Sequence, residues 1–259
     1  MRTQVERRRG SNWLLGVALW CASLLPAGTS TAQETLSDWE FTVTPYLWMT
    51  GFGMETRGVG PIPSRDIDVD FGQVFDHLNF AFEANVEARK DRFVATFDFN
   101  YFDLSASEGL SGPVFTKVAL DMTGILSSAT VGYQAIASDP VSMDVFGGAQ
   151  LFSVDTDLAM RGGGSPSTSD KKTFVDPVIG LRGRVRLGED FFLDGIGSIG
   201  GFGVDSQITY QLFGGVGWQA SDSIALRAGY RHFYIEQEGG KLIKSVTMTG
   251  PIIGASFRF

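Results

Sequence analysis

The chain has 259 residues, of which 33 are Gly and 21 are Phe; 19% are charged, and the formal net charge is −8. This composition is too apolar for a disordered protein and too rich in Gly for a helical bundle. Because no three-residue or seven-residue repeat runs through the sequence, collagen and coiled coil are excluded as well.

Residues 1–32 have the three regions of a secretory signal peptide. Basic residues precede an apolar run at 13–25, and a small-residue stretch ends at Ala32, after which we expect cleavage. The run is too short to cross a bilayer as a helix. Cys21 lies inside the run without the small residue before it that a lipoprotein signal requires, so we expect no lipid attachment. The sequence predicts one exported domain, residues 33–259, without Cys.

The exported domain is acidic. Residues 1–32 hold four Arg and one Glu, so their removal changes the formal net charge from −8 to −11. An acidic chain argues against nucleic acid as a partner. No later stretch approaches 18 consecutive apolar residues, which excludes a helical membrane protein. A soluble periplasmic protein and an outer-membrane protein are the alternatives at this point.

Alternation with period two dominates the rest of the chain. In 79–89, Phe80 and Phe82 share one face, while Glu83 and Glu87 share the other, as in a strand with one apolar and one polar side. The pattern repeats in 92–101 after a tight turn. It predicts ten strands, with eight or twelve as alternatives, at about 38–49, 79–90, 92–104, 117–136, 141–155, 174–187, 191–203, 208–219, 224–236 and 246–259.

The connections between these strands alternate in length. Short turns at one end and long loops at the other are typical of an antiparallel transmembrane β-barrel, although a soluble sandwich can produce a similar alternation. Residues 204–207 are a short exception among the long connections. The short connections are 90–91, 137–140, 188–190 and 220–223, and the long ones are 50–78, 105–116, 156–173 and 237–245.

Aromatic residues lie near the predicted strand ends, as in the girdles at the two membrane interfaces. They are Trp39, Tyr46, Trp48, Tyr101, Tyr133, Tyr210, Trp218, Tyr230 and Tyr234. The last strand alternates in the same way and carries Phe257 and the final Phe259.

With this closing strand the sequence resembles Gram-negative outer-membrane β-barrel proteins. The resemblance implies a cleaved signal peptide, short periplasmic turns, longer extracellular loops, and recognition of Phe257 and Phe259 by the barrel-assembly machinery. It also implies contact with outer-membrane lipid and lipopolysaccharide. Short segments look like a group of small outer-membrane proteins of unassigned function, and that group supplies no active site. These segments are 39–41, 45–48, 176–182, 200–203 and 229–231.

The polar faces of the strands predict a charged lumen. Eight Arg and six carboxylates share the inward parity, close to balance. A barrel of about ten strands has a narrow interior, so we expect these charges to pair, because an unpaired buried charge costs several kcal/mol. The predicted lumen charges are Glu83, Glu87, Arg89, Arg92, Asp98, Asp144, Asp176, Arg182, Arg184, Arg186, Asp194, Arg227, Arg231 and Arg258.

A narrow conducting path lined by the same charges is the alternative. Arg182, Arg184 and Arg186 share one face of one strand, and such charge groups can set anion preference in a pore. Neutralisation by neighbouring carboxylates is the interpretation that we prefer. Between Asp121 and Thr130 the polar residues switch from odd-numbered to even-numbered positions, which predicts a β-bulge in that strand.

Asp66, Asp68 and Asp70 alternate with apolar residues in the first long connection. We predict no metal site and interpret the three as the solvated face of a strand extension, with divalent-cation binding as the alternative. The only His residues, His77 and His232, have no motif around them that is typical of a hydrolase or a zinc site.

We therefore predict an all-β outer-membrane barrel that is not an enzyme and needs no cofactor. The expected role is in membrane integrity or surface interaction. A narrow porin is the first alternative, and an outer-membrane hydrolase is the second.

Overall fold

The computed structural model of the protein describes residues 39–56, 66–109, 115–162, 167–237 and 243–259. The signal peptide prediction falls outside these residues and stays a prediction. The described residues form twelve strands and one helix: β1 (Glu40–Trp48), β2 (Gly51–Thr56), β3 (Asp66–Val69), α1 (Phe71–Asp76), β4 (Leu78–Lys90), β5 (Phe93–Gly109), β6 (Phe115–Ser138), β7 (Val141–Gly162), β8 (Ser167–Arg186), β9 (Phe191–Gly201), β10 (Ile208–Ser221), β11 (Ile224–Glu236) and β12 (Ile243–Arg258).

Ten of the strands close into an antiparallel barrel. Each strand from β4 to β12 pairs with the next, and β1 pairs with both β4 and β12. The predicted all-β barrel of ten strands is confirmed. The remaining strands, β2 and β3, form a hairpin that continues β1 after a break at Met49 and Thr50, because the first half of β12 pairs with β2 and the second half with β1. This hairpin occupies part of the first long connection.

Short turns gather at one end of the barrel. A turn at Asp91 and Arg92 joins β4 to β5, and a turn at Asp139 and Pro140 joins β6 to β7. Asp91 has a φ of 53°, a left-handed conformation that suits a two-residue hairpin turn. At the opposite end, residues 202–207 connect β9 to β10, and β7 and β8 extend to Gly162 and from Ser167, into the connection predicted at 156–173.

The barrel wall is apolar outside and polar inside in its short-turn half. On β6, Val131 points outward and is 69% exposed, while Ser128 and Thr130 share the inward parity of buried Leu126. Elsewhere Asp144 and Asn100 are buried. A soluble barrel has the opposite arrangement, so the outer surface of this half is of the kind found in barrels embedded in lipid.

The polarity reverses in the long-loop half. There a cluster of apolar side chains fills the interior, and Phe152 of β7 lies across the barrel from Phe233 of β11, with 6.1 Å between ring centroids. The outward face carries polar contacts, such as the hydrogen bond between Asn79 and Asp103. We call this cluster the apolar cap; its members are Trp48, Phe102, Leu126, Phe152, Phe233, Ile235, Val246 and Met248.

The reversal corrects two predictions. The prediction of a β-bulge between Asp121 and Thr130 was wrong, because β6 pairs with both neighbouring strands without a register shift through this segment. The polar parity changes there because the strand leaves the lipid-facing zone, so polar side chains move from the inner to the outer face. For the same reason Tyr46 and Trp48 point inward and do not belong to an aromatic girdle, whereas Trp218 and Tyr230 are exposed on the outer wall.

Candidate functional site

The short-turn half contains ion pairs that cross the lumen. Arg89 of β4 donates to Asp144 of β7 at 2.7 Å and to Glu87 at 3.2 Å. Arg182 of β8 donates to the other oxygen of Glu87 at 2.7 Å and also to Thr96 at 3.1 Å. The sequence predicted that the charged residues among these face the lumen, and the structure shows that they form ion pairs with one another. We call this group the lower network.

Asp194 of β9 joins two further arginines. Arg184 lies 2.8 Å from one carboxylate oxygen, and Arg227 lies 3.2 Å from the other. Both guanidinium groups also lie over the ring of Phe192, at 4.3 and 5.5 Å from its centroid. A side chain at Gly217 would collide with that ring, so this glycine leaves the space that the aromatic platform needs. Arg182 and Arg184 are therefore each matched by a carboxylate.

A third group lies deeper in the barrel, below the apolar cap. Arg231 is 5% exposed and donates to Asp98 at 3.2 Å, to Gln211 at 2.7 Å and to the hydroxyl of Tyr46 at 3.1 Å. The Tyr46 hydroxyl in turn donates to Asp98 at 2.9 Å. The Asn100 amide also donates to Asp98, at 3.0 Å. We call these five residues the central network.

Trp48 of the apolar cap covers the central network. The guanidinium carbon of Arg231 lies 4.6 Å from the centroid of the Trp48 ring, a distance at which a cation is attracted by the face of the ring. Because the central network and the apolar cap share this contact, the polar and apolar parts of the interior are packed as one core.

Asp176 was predicted as a lumen charge, and it caps a turn instead. Its carboxylate accepts the backbone N–H groups of Asp205 and Ser206 at 3.2 and 2.9 Å, and the Ser206 hydroxyl at 2.6 Å. The turn needs such support because Gly201, Phe202 and Gly203 all have a positive φ. No arginine is needed to neutralise Asp176, since three donors already surround it.

Replacement of Asp176 by alanine should loosen this turn. Asp176 is 1% exposed, and hydrogen bonds to a buried charged acceptor are each worth about 1.5–3 kcal/mol without being additive. We expect Asp176→Ala to lower the free energy of unfolding by about 2–4 kcal/mol, measured by urea titration in lipid vesicles, and to speed proteolysis within 202–207. Asp222→Ala, in an exposed turn at the opposite end, should change stability by less than about 0.5 kcal/mol.

Glu83 lies inside the barrel as predicted by its parity, but its carboxylate accepts the backbone N–H of Trp48 rather than that of an arginine side chain. Three other predicted lumen residues lie at strand ends instead. Arg92 lies in the turn before β5. Arg186 is exposed and lies 3.7 Å from Asp139. These corrections share a cause, since the period-two pattern runs past the point where a strand leaves the barrel interior.

Arg258 is the third of these residues. Its side chain is 46% exposed, lies 3.7 Å from Glu40, and donates to the backbone carbonyl of Asp222 at 3.1 Å. The closing strand also exposes Phe257 and Phe259 at this end, where Phe259 exchanges backbone hydrogen bonds with Phe41.

Sequence reasoning missed the neutral members of these groups. Tyr46, Asn100 and Gln211 complete the central network, and Thr96 contacts Arg182. Thr96 and Asn100 have the inward parity of Asp98 on β5, and that shared parity was the available signal for them. β10 carries no charged residue, so Gln211 had no such signal.

Asp66, Asp68 and Asp70 do not form a metal centre. Asp66 and Asp68 lie on β3, opposite Glu55 and Gly53, and Asp70 caps helix α1 by accepting the backbone N–H of Gln73 at 3.0 Å. Within the described ranges, no group of three or more His, Cys, Asp or Glu side chains is placed to hold a metal ion.

The β2 and β3 hairpin carries one ion pair beyond the membrane-facing wall. Lys244 of β12 donates to Glu55 at 2.8 Å, and this hydrogen bond lowers the pKa of the Glu55 carboxyl from its ordinary value.

Neither His approaches the arrangement of a hydrolase. His232 points outward, stacks on Tyr210 at 5.6 Å between ring centroids, and lies 3.3 Å from the Thr249 hydroxyl. His77 ends helix α1, and its backbone carbonyl accepts the N–H of Ser105. No helix among the described residues is both long and apolar enough to cross a membrane.

Comparisons with known proteins show the fold. No protein-family model matches the chain, and no curated protein is significantly similar to it in sequence. Among solved structures, the outer membrane protease OmpT from Escherichia coli superposes with a TM-score of 0.54 at 10% identity, over 86% of this chain and 97% of that one. The translocator domain of the autotransporter NalP from Neisseria meningitidis gives a TM-score of 0.47 at 12% identity, over 95% of each chain. The closed ten-stranded barrel described above therefore has the fold of Gram-negative outer-membrane β-barrel proteins.

Proposed function

We propose that this protein is an outer-membrane barrel that supports the cell envelope, through membrane integrity or contacts at its surface, and does not conduct solutes. The observation that carries the proposal is the apolar cap. Phe233 and Ile235 are fully buried, Met248 and Leu126 nearly so, and together they fill the long-loop half of the interior. An ion that entered this region would lose its hydration among side chains that are almost entirely apolar.

The interior below the cap supports the same function. Arg89, Arg182, Arg184, Arg227 and Arg231 each have a carboxylate oxygen between 2.7 and 3.2 Å away. Barrels of eight strands are filled by side chains, and open aqueous channels use about sixteen strands. Ten strands filled by paired charges therefore form a core rather than a pore.

Location in the outer membrane is part of this proposal. The outward apolar face of β5 runs from Phe93 to Tyr101, which is about 26 Å along the strand at 3.3 Å per residue. At a strand tilt of about 40° this length projects to about 20 Å along the membrane normal, which covers most of an apolar band about 25 Å tall. We further propose that residues 1–32 are removed on export and that Phe257 and Phe259 guide assembly. Outer-membrane lipid and lipopolysaccharide then surround the wall.

We expect no hydrolytic activity. His232 contacts a tyrosine ring and a threonine hydroxyl on the outer wall, and a general base needs the reacting proton within hydrogen-bond reach. This part of the proposal would be contradicted if the protein hydrolysed peptide or lipid substrates and the substitution His232→Ala abolished that activity.

Planar-bilayer recordings test the proposed function. Protein refolded into detergent and added to a lipid bilayer should insert without discrete current steps, because the apolar cap blocks the axial path. Heat-dependent migration in detergent gels should verify that the inserted protein is folded. A large porin recorded in the same bilayers serves as the positive control.

Reproducible single-channel steps would overturn the non-conducting barrel in favour of a narrow porin. In that case Arg184 would be expected to contribute to selectivity, because its side chain is 41% exposed to the lumen. A reduced anion preference in Arg184→Ala would then identify the path.

A further inference from the structure

The wall of the barrel is interrupted between β1 and β4. The two strands pair as far as Pro45 opposite Ala84, and the described residues show no pair beyond that point. Pro45 has no N–H to donate, so it is a natural end for the hydrogen-bonded ladder. By the register of the paired part, residues 46–48 of β1 and 81–83 of β4 therefore face each other without backbone pairing; we call this interruption the seam.

A side chain bridges the seam where the backbone does not. If the register continued, Trp48 would lie opposite Ala81. The Glu83 carboxylate instead accepts the backbone N–H of Trp48 at 2.5 Å. A single side chain thus replaces the ladder, and side chains rotate more readily than strands separate.

Two buried donors lack acceptors directly behind the seam. The Nε1 of Trp48 and the Nε of Arg231 make no hydrogen bond, although these residues are only 3% and 5% exposed. Buried donors without partners are rare and cost about 1–3 kcal/mol each. They point to an acceptor bound beside the central network. Arg231 is already paired with Asp98, and Glu83 adds a second carboxylate, so a neutral oxygen fits this place better than an anion.

The outer side of the seam is apolar. Leu47, Phe80 and Phe82 are exposed on its two edges. On the other edge of β1, toward β12, Pro45 and Leu47 border a shallow groove of about 530 Å³ on the outer wall. Its remaining apolar side chains are Leu226, Ile253 and Ala255. The groove is continuous with the lipid-facing wall, so the chemistry that it fits is an acyl chain.

We propose that the seam is a lateral entry through which an amphiphile from the bilayer reaches the interior. Its neutral, oxygen-bearing head accepts hydrogen bonds from Trp48 and Arg231, and its acyl chain lies on the wall beside Leu47. Glu83 is the latch, because its bond to Trp48 must break or shift for the head to pass. In one point this inference rests on the proposed function: with the axial path from the long-loop end blocked by the apolar cap, the seam is a route that avoids the cap.

Fluorescence quenching by a brominated monoacylglycerol tests the proposal. In a protein carrying Trp39→Phe and Trp218→Phe, Trp48 is the only tryptophan of residues 33–259. In phosphatidylcholine vesicles we expect saturable quenching of Trp48, reversed by excess unbrominated monoacylglycerol. A protein that retains only Trp218, which lies on the outer wall, should be quenched without saturation by any brominated lipid.

The latch is tested with two carboxylate variants. Glu83→Ala should speed the quenching of Trp48 several-fold, whereas Glu40→Ala should leave its rate unchanged, because Glu40 is half exposed in the paired part of β1 at the short-turn end. Glu83→Gln retains an acceptor for the Trp48 N–H and should behave like the parent protein.

The lateral entry would be overturned if Trp48 were not quenched in the protein that retains only Trp48, while Trp218 was quenched normally in the protein that retains only Trp218. This outcome does not require Glu83→Ala to fold. Equal quenching by a brominated alkane without a polar head would overturn the head-group site. Neither result depends on the outcome of the conductance recordings.

Discussion

Arg231→Ala should be among the most destabilising single substitutions in this barrel. Its side chain is 6% exposed, and its removal leaves the Asp98 carboxylate in the interior without a counter-charge. Breaking a buried ion pair in this way costs about 3–5 kcal/mol. We expect a loss of that size in the free energy of unfolding, measured by urea titration of the protein in lipid vesicles with intrinsic fluorescence as the signal.

Two further variants separate charge from packing. Arg258→Ala removes a 46% exposed guanidinium that lies 3.7 Å from Glu40, and exposed pairs contribute only about 0–1 kcal/mol. Arg231→Met combined with Asp98→Asn leaves no uncompensated charge, so it should recover a large part of the loss. If Arg231→Ala and Arg258→Ala unfolded at the same urea concentration, the central network would not be a stabilising core.

Phe233→Ala should cost a similar amount through a different mechanism. Phe233 has 0% exposure in the apolar cap, and its ring lies 6.1 Å from that of Phe152. Truncation of a buried Phe removes transfer free energy and leaves a cavity, at about 3–5 kcal/mol. We expect this decrease in the free energy of unfolding, with a reduced near-UV circular dichroism signal from the aromatic residues of the cap.

Phe75→Ala is the matched control for this substitution. Phe75 is 61% exposed on helix α1, so its truncation should change stability by no more than about 0.5 kcal/mol. Equal shifts for Phe233→Ala and Phe75→Ala would show that the cap is not a packed core. That result would also weaken the proposal that the cap closes the axial path.

The barrel itself could be predicted from the sequence because its determinants are local. Alternation in segments such as 79–89 fixes which side chains share a face, and turns such as Asp91-Arg92 fix which strands are neighbours. Both signals span only a few residues. Strand count and closure follow from repeating them along the chain.

The partners inside the barrel could not be predicted in the same way. Arg89 meets Asp144, and Arg182 meets Glu87, across the lumen, and these contacts depend on strand stagger and tilt, which no local pattern encodes. Sequence parity placed Asp176 inside correctly but could not show that the backbone of 205–206 would surround it. The inward position of Trp48 was missed because the polarity of the wall reverses along β1.

Unequal strand lengths make the rim of the barrel uneven. β6 and β7 have 24 and 22 residues, whereas β9 and β10 have 11 and 14. With all four anchored at the short-turn end, the longest strand exceeds the shortest by about 40 Å of chain at 3.3 Å per residue. One flank of the barrel is therefore much taller than the other. If the long-loop end faces the cell exterior, as the resemblance to outer-membrane barrels implies, a large particle such as an antibody would first touch the β6 and β7 flank.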